Sequence, residues 1–179
     1  MTLNQILVSC KAQWNSALIQ KKHSYRFFTL GTSNISKPEI RTVILRDFNS
    51  KNLQFTIFTD SRSSKVLSLK NNPDAALLFY DPETLIQIRV DAHCVLIQKD
   101  DELFNKQSPA SQKDYRTYLA PGTKIDSAAS VSFLKEKNHF KRLVFEATKI
   151  DFLQLNRINH IRAVFKKVNS IWQGEFMTP

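Results

Sequence analysis

The sequence predicts an α+β fold that is mainly β, arranged as a barrel or half-open barrel with a helix in front of it. Apolar residues recur every three to four positions over residues 2–20, which is typical of an amphipathic helix. Short segments rich in β-branched and aromatic residues follow, and turn residues separate most of them closely enough for hairpins. A length of 179 residues, with 42% hydrophobic and 23% charged residues, suits a single globular domain over 1–179.

The front helix has a defined start, because Thr2 and Gln5 have the spacing of a capping box. Further helices are predicted over 62–70 and, with an interruption near Ser108-Pro109, over 100–118. Strands are predicted over 25–31, 39–46, 53–59, 74–80, 85–97, 142–150, 161–168 and 171–176. We expect strands 39–46 and 53–59 to form an antiparallel hairpin across the polar connection 47–52.

The chain is strongly basic, with 26 Lys and Arg against 16 Asp and Glu, a formal charge of +10. This balance suits nucleic acid, an anionic membrane or an anionic small ligand, and it equally suits a solvated basic surface. The basic residues are spread in pairs such as Lys21-Lys22, without the run of five or six that a nucleic-acid arm requires.

Several chemistries are excluded by composition. The three glycines, Gly31, Gly122 and Gly174, lie too far apart for a GxGxxG turn or a P-loop. The two cysteines form no CxxC pair and the four histidines have no metal-ligand spacing, so no metal site is expected. The start of the chain does not resemble a signal peptide, and no apolar run of membrane-spanning length occurs. We therefore expect a cytoplasmic protein without a membrane segment.

A candidate anion site lies where the strand 53–59 leads into the helix 62–70. Thr59, Ser63, Ser64 and Lys65 fall at the start of that helix, where unpaired backbone amides and the helix dipole favour an anion. Arg41, on the neighbouring predicted strand, has the guanidinium to complete a phosphate site. The alternative is that Ser63 only caps the helix and Lys65 is solvated.

A second candidate lies on the strand 85–97, where Leu85, Gln87 and Arg89 share one face. A face that carries both Gln87 and Arg89 is unlike an ordinary core face. It suits the polar edge of a ring system, or equally a surface that faces solvent or a second subunit.

Together these segments resemble the pyridoxamine 5′-phosphate oxidase family, whose pattern runs R-x-V-L-L-K, F-Y-T-N-x-x-S-R-K, N-P-x-A and R-Q-V-R. The corresponding segments here are RTVILR from Arg41, FTDSRSSK from Phe58, NPDA from Asn72 and IQIR from Ile86. The resemblance is densest over 41–90, and the variant RTVILR…FTDSRSSK looks closest to the Alr4036-like branch of the family.

The resemblance implies a split β-barrel homodimer, with an N-terminal helix, peripheral helices and one FMN at each end of the dimer interface. Gln87 matches the glutamine that the family places against the flavin ring, and Arg62 would replace the charge lost where Ser64 stands for arginine. Carried over by position, the FMN-binding residues would be Arg41, Thr42, Val43, Ile44, Phe58, Thr59, Arg62, Ser63, Ser64, Lys65, Gln87 and Arg162.

The substrate side departs from the family pattern, because Leu103, Gln107 and Ile158 occupy positions where the family has other residues that hold its substrate. The remaining substrate candidates are Arg46, Ser111 and His160. We therefore expect an FMN-dependent oxidoreductase of a small molecule other than pyridoxamine phosphate, with NAD(P)H as a candidate electron donor. The alternatives are a non-catalytic FMN carrier and a basic nucleic-acid-binding barrel.

Overall fold

The fold is described from a computed structural model, over residues 1–34, 37–169 and 171–179. It is mainly β with a long first helix, so the predicted class is confirmed. The helices are α1 (Leu3–Ile19), α2 (Ser64–Asn71), α3 (Asp101–Asn105) and α4 (Pro109–Lys113). The strands are β1 (Phe27–Asn34), β2 (Lys37–Ile44), β3 (Asp47–Asn49), β4 (Gln54–Asp60), β5 (Asp74–Asp81), β6 (Ile86–Gln98), β7 (Phe140–Gln154), β8 (Ile161–Val168) and β9 (Ile171–Met177).

All described strand pairs are antiparallel and form one sheet, in the order β2-β1-β5-β6-β7-β4-β3, with β8 on β7 and β9 on β8. Strand β7 is the longest, with 15 residues. It pairs with β6 along one edge, while β4 and then β8 share its other edge. The two ends of β7 therefore support different parts of the molecule.

The predicted hairpin between 39–46 and 53–59 is wrong. β2 pairs with β1 instead, and residues 47–49, predicted as a connection, form β3 and pair with β4. The polar composition of 47–52 concealed Phe48, which is buried in the core. The chain changes partners at Leu45 and Arg46, where the Leu45 amide donates to the Arg26 carbonyl (2.8 Å) and the Arg46 amide to the Thr56 carbonyl (2.9 Å).

Helix α1 covers the main core with one face. Its predicted capping box is present, with Thr2 and Gln5 exchanging hydrogen bonds. Trp14 packs in the centre, with ring centroids 5.2 Å from Phe48, 4.9 Å from Phe55 and 5.7 Å from Phe79. Nine of the 13 phenylalanines of the sequence are buried, so most of the aromatic content is accounted for by packing.

A smaller core lies beside the start of β7. It consists of Phe104, Tyr115 and Phe140, with Phe58 and Leu103 packed against it. The helical region predicted over 100–118 is reduced to α3, which ends at Asn105, and α4, which begins at Pro109 with Ser108 as its N-cap. Within the described residues, none of the helices has both the length and the hydropathy of a membrane span.

Candidate functional site

The turn between β4 and α2 is built around buried hydroxyl groups. The Ser63 hydroxyl donates to the Asp60 carbonyl (2.8 Å) and lies 3.1 Å from the Thr59 hydroxyl. Within the described residues Ser63 makes no capping bond to α2. The Lys65 ammonium folds back over the turn and donates to Thr59 Oγ1 (3.0 Å). Ser63 is thus not a simple cap, and Lys65 is half-buried instead of solvated.

Arg41 reaches the same place from β2. Its Nη1 donates to Thr32 Oγ1 (2.6 Å), and its Nη2 contacts the Glu39 carboxylate (2.5 Å). The same Glu39 oxygen accepts a hydrogen bond from the Ser64 hydroxyl (3.1 Å). The structure therefore brings together Arg41, Thr59, Ser63, Ser64 and Lys65, which we call the cradle.

The electrostatics of the cradle favour an anion. Burial lowers the pKa of the Lys65 ammonium, and the neighbouring Arg41 charge lowers it further, while Asp60 and Glu39 oppose the shift. Two cations held this close repel each other, and a bound anion relieves that repulsion. Hydroxyl donors and the amino end of α2 surround them, a donor set that fits a phosphate monoester.

Arg62 is not directed at the cradle. Its guanidinium pairs with the buried Asp60 carboxylate (2.7 Å) and donates to the backbone carbonyls of Thr117 (2.9 Å) and Tyr118 (3.0 Å). It therefore ties the segment after α4 to the β4–α2 turn. The expectation that Arg62 replaces the charge missing at Ser64 stays a prediction without a contact to support it.

The segment 41–44 divides its side chains between the two faces of β2. Directly opposed residues of an antiparallel pair share a face. Arg41 and Val43 lie opposite the buried Leu30 and Phe28, whereas Thr42 and Ile44 lie opposite Thr29 and the exposed Phe27 on the other face. Only Arg41 of these four contributes a side chain to the cradle.

A polar patch occupies the outer face of the sheet, at the other end of β7 from the cradle. Arg162 donates to the nearly buried Asp151 carboxylate (2.9 and 3.1 Å), and Arg89 donates to it as well (2.9 Å). Gln87 lies opposite Leu153, which in turn lies opposite Arg162. We call Gln87, Arg89, Asp151 and Arg162 the distal patch.

The cradle and the distal patch are far apart in one chain. Asp60, next to the cradle, pairs with Phe140, whereas Gln154 at the other end of β7 pairs with Ile161. β7 has 15 residues, so its ends lie about 46 Å apart measured along an extended strand at roughly 3.3 Å per residue. Seven of the twelve predicted FMN-binding residues therefore fall into two separate groups: five lie in the cradle, and Gln87 and Arg162 lie in the distal patch.

The three substrate candidates are also divided. Arg46 lies over the Phe58 ring (5.4 Å) beside the smaller core, where its charge opposes the rise that burial causes in the pKa of the Tyr115 hydroxyl. Ser111 takes part in the local capping of α4, through Ser108. His160 accepts from the Asn156 amide (3.1 Å) in the exposed β7–β8 turn, at the distal end.

Sequence reasoning missed several members of these groups. Glu39 and Thr32 complete the surroundings of Arg41, and Asp151 holds the distal patch together. The two-residue spacing of Glu39 and Arg41 on one strand placed both on one face, which was a usable signal. Asp151 had no comparable signal, because its partners lie on other strands.

Solved structures of low sequence identity share this fold. A pyridoxamine 5′-phosphate oxidase-related, FMN-binding protein from Nostoc punctiforme superposes with a TM-score of 0.78 at 20% identity, over 100% of this chain and 99% of that one. PhzG from Burkholderia lata, solved with tetrahydrophenazine-1-carboxylic acid, gives 0.78 at 15% identity over 97% and 92%. The predicted split barrel with an N-terminal helix is confirmed.

Sequence comparison identifies the family of the chain. Residues 8–98 match the family model described as pyridoxamine 5′-phosphate oxidase, FMN-binding domain. A pyridoxine/pyridoxamine 5′-phosphate oxidase of Actinobacillus succinogenes is 30% identical over 158 residues, 80% of this chain and 74% of that protein. The chain belongs to this FMN-binding family.

The match to other relatives is shorter. The pyridoxine/pyridoxamine 5′-phosphate oxidase of Acinetobacter baumannii is 35% identical over 117 residues, which are 64% of this chain and 53% of that enzyme. The chain thus spans about half the length of this relative.

Replacing the carboxylate of the distal patch tests its ion pairs. We expect Asp151→Asn to lower the free energy of unfolding by about 1–3 kcal/mol at neutral pH, because two arginines lose charged hydrogen bonds. Hydrogen bonds from Arg162 lower the pKa of Asp151 in the folded state, so the wild-type advantage is complete above the unfolded pKa, about 3.9. It is lost as the pH falls through the folded pKa.

Urea denaturation across this pH range measures both proteins, and the exposed Asp126→Asn serves as the control. A gap between wild type and Asp151→Asn that stays constant on acidification would contradict the assignment.

Proposed function

We propose that this chain binds FMN, with the flavin phosphate in the cradle. The observation that carries the proposal is the convergence of Arg41, Ser64 and Lys65, from opposite ends of the sheet, on one point beside the amino end of α2. Membership of an FMN-binding family supports the choice of flavin over other phosphate esters. Bound FMN would supply electron or hydride transfer, and the protein would supply its position.

We propose further that the flavin site is shared between two copies of the chain. Seven of the twelve residues expected to hold FMN fall into the cradle or the distal patch, which lie at opposite ends of β7. One flavin can contact both groups only if the distal patch belongs to a partner subunit. A homodimer with twofold symmetry would form two such sites at one interface.

We favour an oxidoreductase over a flavin carrier, because relatives of this chain are named oxidases and because a guanidinium lies over an aromatic ring near the end of β4. The Arg46 guanidinium lies over the Phe58 ring, next to Tyr115. This arrangement suits an anionic or aromatic small molecule. Reduction of the FMN-loaded protein by NADH or NADPH, followed in a stopped-flow spectrometer, separates an enzyme from a carrier.

The substrate we propose is not pyridoxamine phosphate. Ile158 is 91% exposed, Leu103 packs into the smaller core, and the Gln107 side chain donates to the Leu103 carbonyl (2.9 Å). Each of these positions thus lacks a cation for the substrate phosphate.

On the motif RTVILR…FTDSRSSK we also assign the chain to the Alr4036-like branch of the family.

The nucleic-acid alternative has little support from the structure. Base stacking requires exposed aromatic rings interleaved with basic residues, whereas most of the phenylalanines are buried. The charge of +10 is better explained by an anionic cofactor and a basic surface.

Lys65→Met tests the cradle. We expect the dissociation constant for FMN to rise roughly 10- to 150-fold, because a charged hydrogen bond to phosphate contributes about 1.5–3 kcal/mol. Riboflavin, which lacks the phosphate, should bind both proteins alike. Fluorescence titration gives both constants, and Lys51→Met, which removes an exposed lysine, is the charge-matched control. Equal FMN affinity in wild type and Lys65→Met would exclude the cradle.

Mixing two defective chains tests the shared site. One chain carries Lys65→Met in the cradle, and the other carries Gln87→Ala and Arg162→Gln in the distal patch. After random exchange of subunits we expect about one quarter of the wild-type FMN capacity to return, since each mixed dimer holds one intact site. Absence of any recovery, with both chains folded by circular dichroism, would contradict a site shared between two subunits.

The proposed change of substrate is tested by direct turnover. We expect the FMN-loaded protein to oxidise pyridoxine or pyridoxamine phosphate at least about 100-fold more slowly than a family oxidase, since two lost cationic contacts cost about 3 kcal/mol or more. Formation of pyridoxal phosphate is followed by absorbance. Turnover at an ordinary enzyme rate would refute the proposal.

A further inference from the structure

The Glu39 carboxylate lies inside the cradle. One of its oxygens accepts from both Arg41 Nη2 (2.5 Å) and the Ser64 hydroxyl (3.1 Å). These are two of the donors that a phosphate in the cradle would use. Glu39 reaches this place because it shares the face of β2 with Arg41, two residues along the strand.

The two guanidinium nitrogens of Arg41 are held differently. Nη1 donates to Thr32 Oγ1 (2.6 Å), to the Glu39 backbone carbonyl (3.1 Å) and to the Leu30 carbonyl (3.4 Å). Nη2 donates to the Glu39 carboxylate. Loss of that carboxylate would therefore leave Arg41 anchored through Nη1, with Nη2 available to an incoming anion.

The charge balance follows from the same contacts. Arg41 and Lys65 contribute two positive charges to the cradle, and Glu39 cancels one of them. A phosphate monoester would enter beside a like charge, which is unfavourable at this range. The Glu39 side chain is 32% exposed, so it has a path by which to turn toward solvent.

We propose that Glu39 is an intramolecular competitor for the phosphate of the flavin and so sets the affinity of this site. Its carboxylate takes the Arg41 and Ser64 donors, and FMN binds by displacing it. The inference rests on the proposed FMN site and adds a determinant of its strength. Glu39 should therefore affect the affinity only for flavins that carry a phosphate, because riboflavin has no group that competes for these donors.

Glu39→Gln separates this role from that of a brace for Arg41. If Glu39 competes, the neutral variant binds FMN more tightly, by roughly tenfold, because one like charge is removed from the site. Riboflavin affinity stays within about twofold in the same comparison. If Glu39 instead braces Arg41, FMN affinity falls in the variant, which would overturn the proposal, as would an unchanged constant.

Fluorescence titration of full-length protein, stripped of flavin, provides these constants, and Glu136→Gln removes an exposed carboxylate as the matched control. Thermal melting checks that each variant is folded; Glu39→Ala is the second variant and should also bind FMN more tightly. If FMN binds neither wild type nor variants, the proposed function fails and this inference with it. If FMN binds all of them without tightening in the Glu39 variants, the inference alone fails.

Discussion

The change of partner at Leu45 and Arg46 is the constraint on which the architecture depends. Two consecutive amides donate to carbonyls on different elements, Leu45 to Arg26 and Arg46 to Thr56. The end of β2 is thereby fixed against β4, although four strands stand between them in the pairing order. Leu45 is buried, so apolar packing reinforces the bond. The sheet must curl into a split barrel for this junction to form, and that curl carries Arg41 to the turn before α2.

The two charged groups of the molecule follow different electrostatic designs. In the cradle two cations lie near one partly exposed carboxylate, which pairs with Arg41 alone, so positive charge remains uncompensated. In the distal patch a nearly buried carboxylate sits between Arg89 and Arg162 and holds both guanidinium groups in place. The first arrangement suits a mobile anion, and the second suits a fixed hydrogen-bonding surface. A flavin combines a charged phosphate, which would suit the first arrangement, with a largely neutral ring, which would suit the second.

Local signals in the sequence predicted much of the fold. Some features can be predicted from residues that are neighbours in the sequence, and the structure contains them: the capping box at Thr2, the period of α1 and the extents of β5, β6, β8 and β9. The grouping of Ser63, Ser64 and Lys65 was likewise local. The pairing of β2 was not, because strand partners depend on contacts between distant segments and Phe48 was hidden in a polar stretch. The same limit explains Arg62, whose side chain is committed to the carbonyls of Thr117 and Tyr118, more than 50 residues away.

Strand β7 pairs with β4 near one end and with β8 near the other, and this affects how the chain folds during synthesis. Gln54 on β4 bonds to Glu146 on β7 across 92 residues, so β4 and the turn that follows it emerge from the ribosome long before their partner strand. Closing so long a loop is entropically unfavourable and slow compared with hairpin formation. The hairpins β1–β2 and β5–β6 can assemble early, whereas the β4 edge waits for the C-terminal third of the chain. The pairing of β4 with β7 therefore joins the two halves of the barrel late, and a nascent chain interrupted before β7 would leave the hydrophobic face of β4 exposed to aggregation.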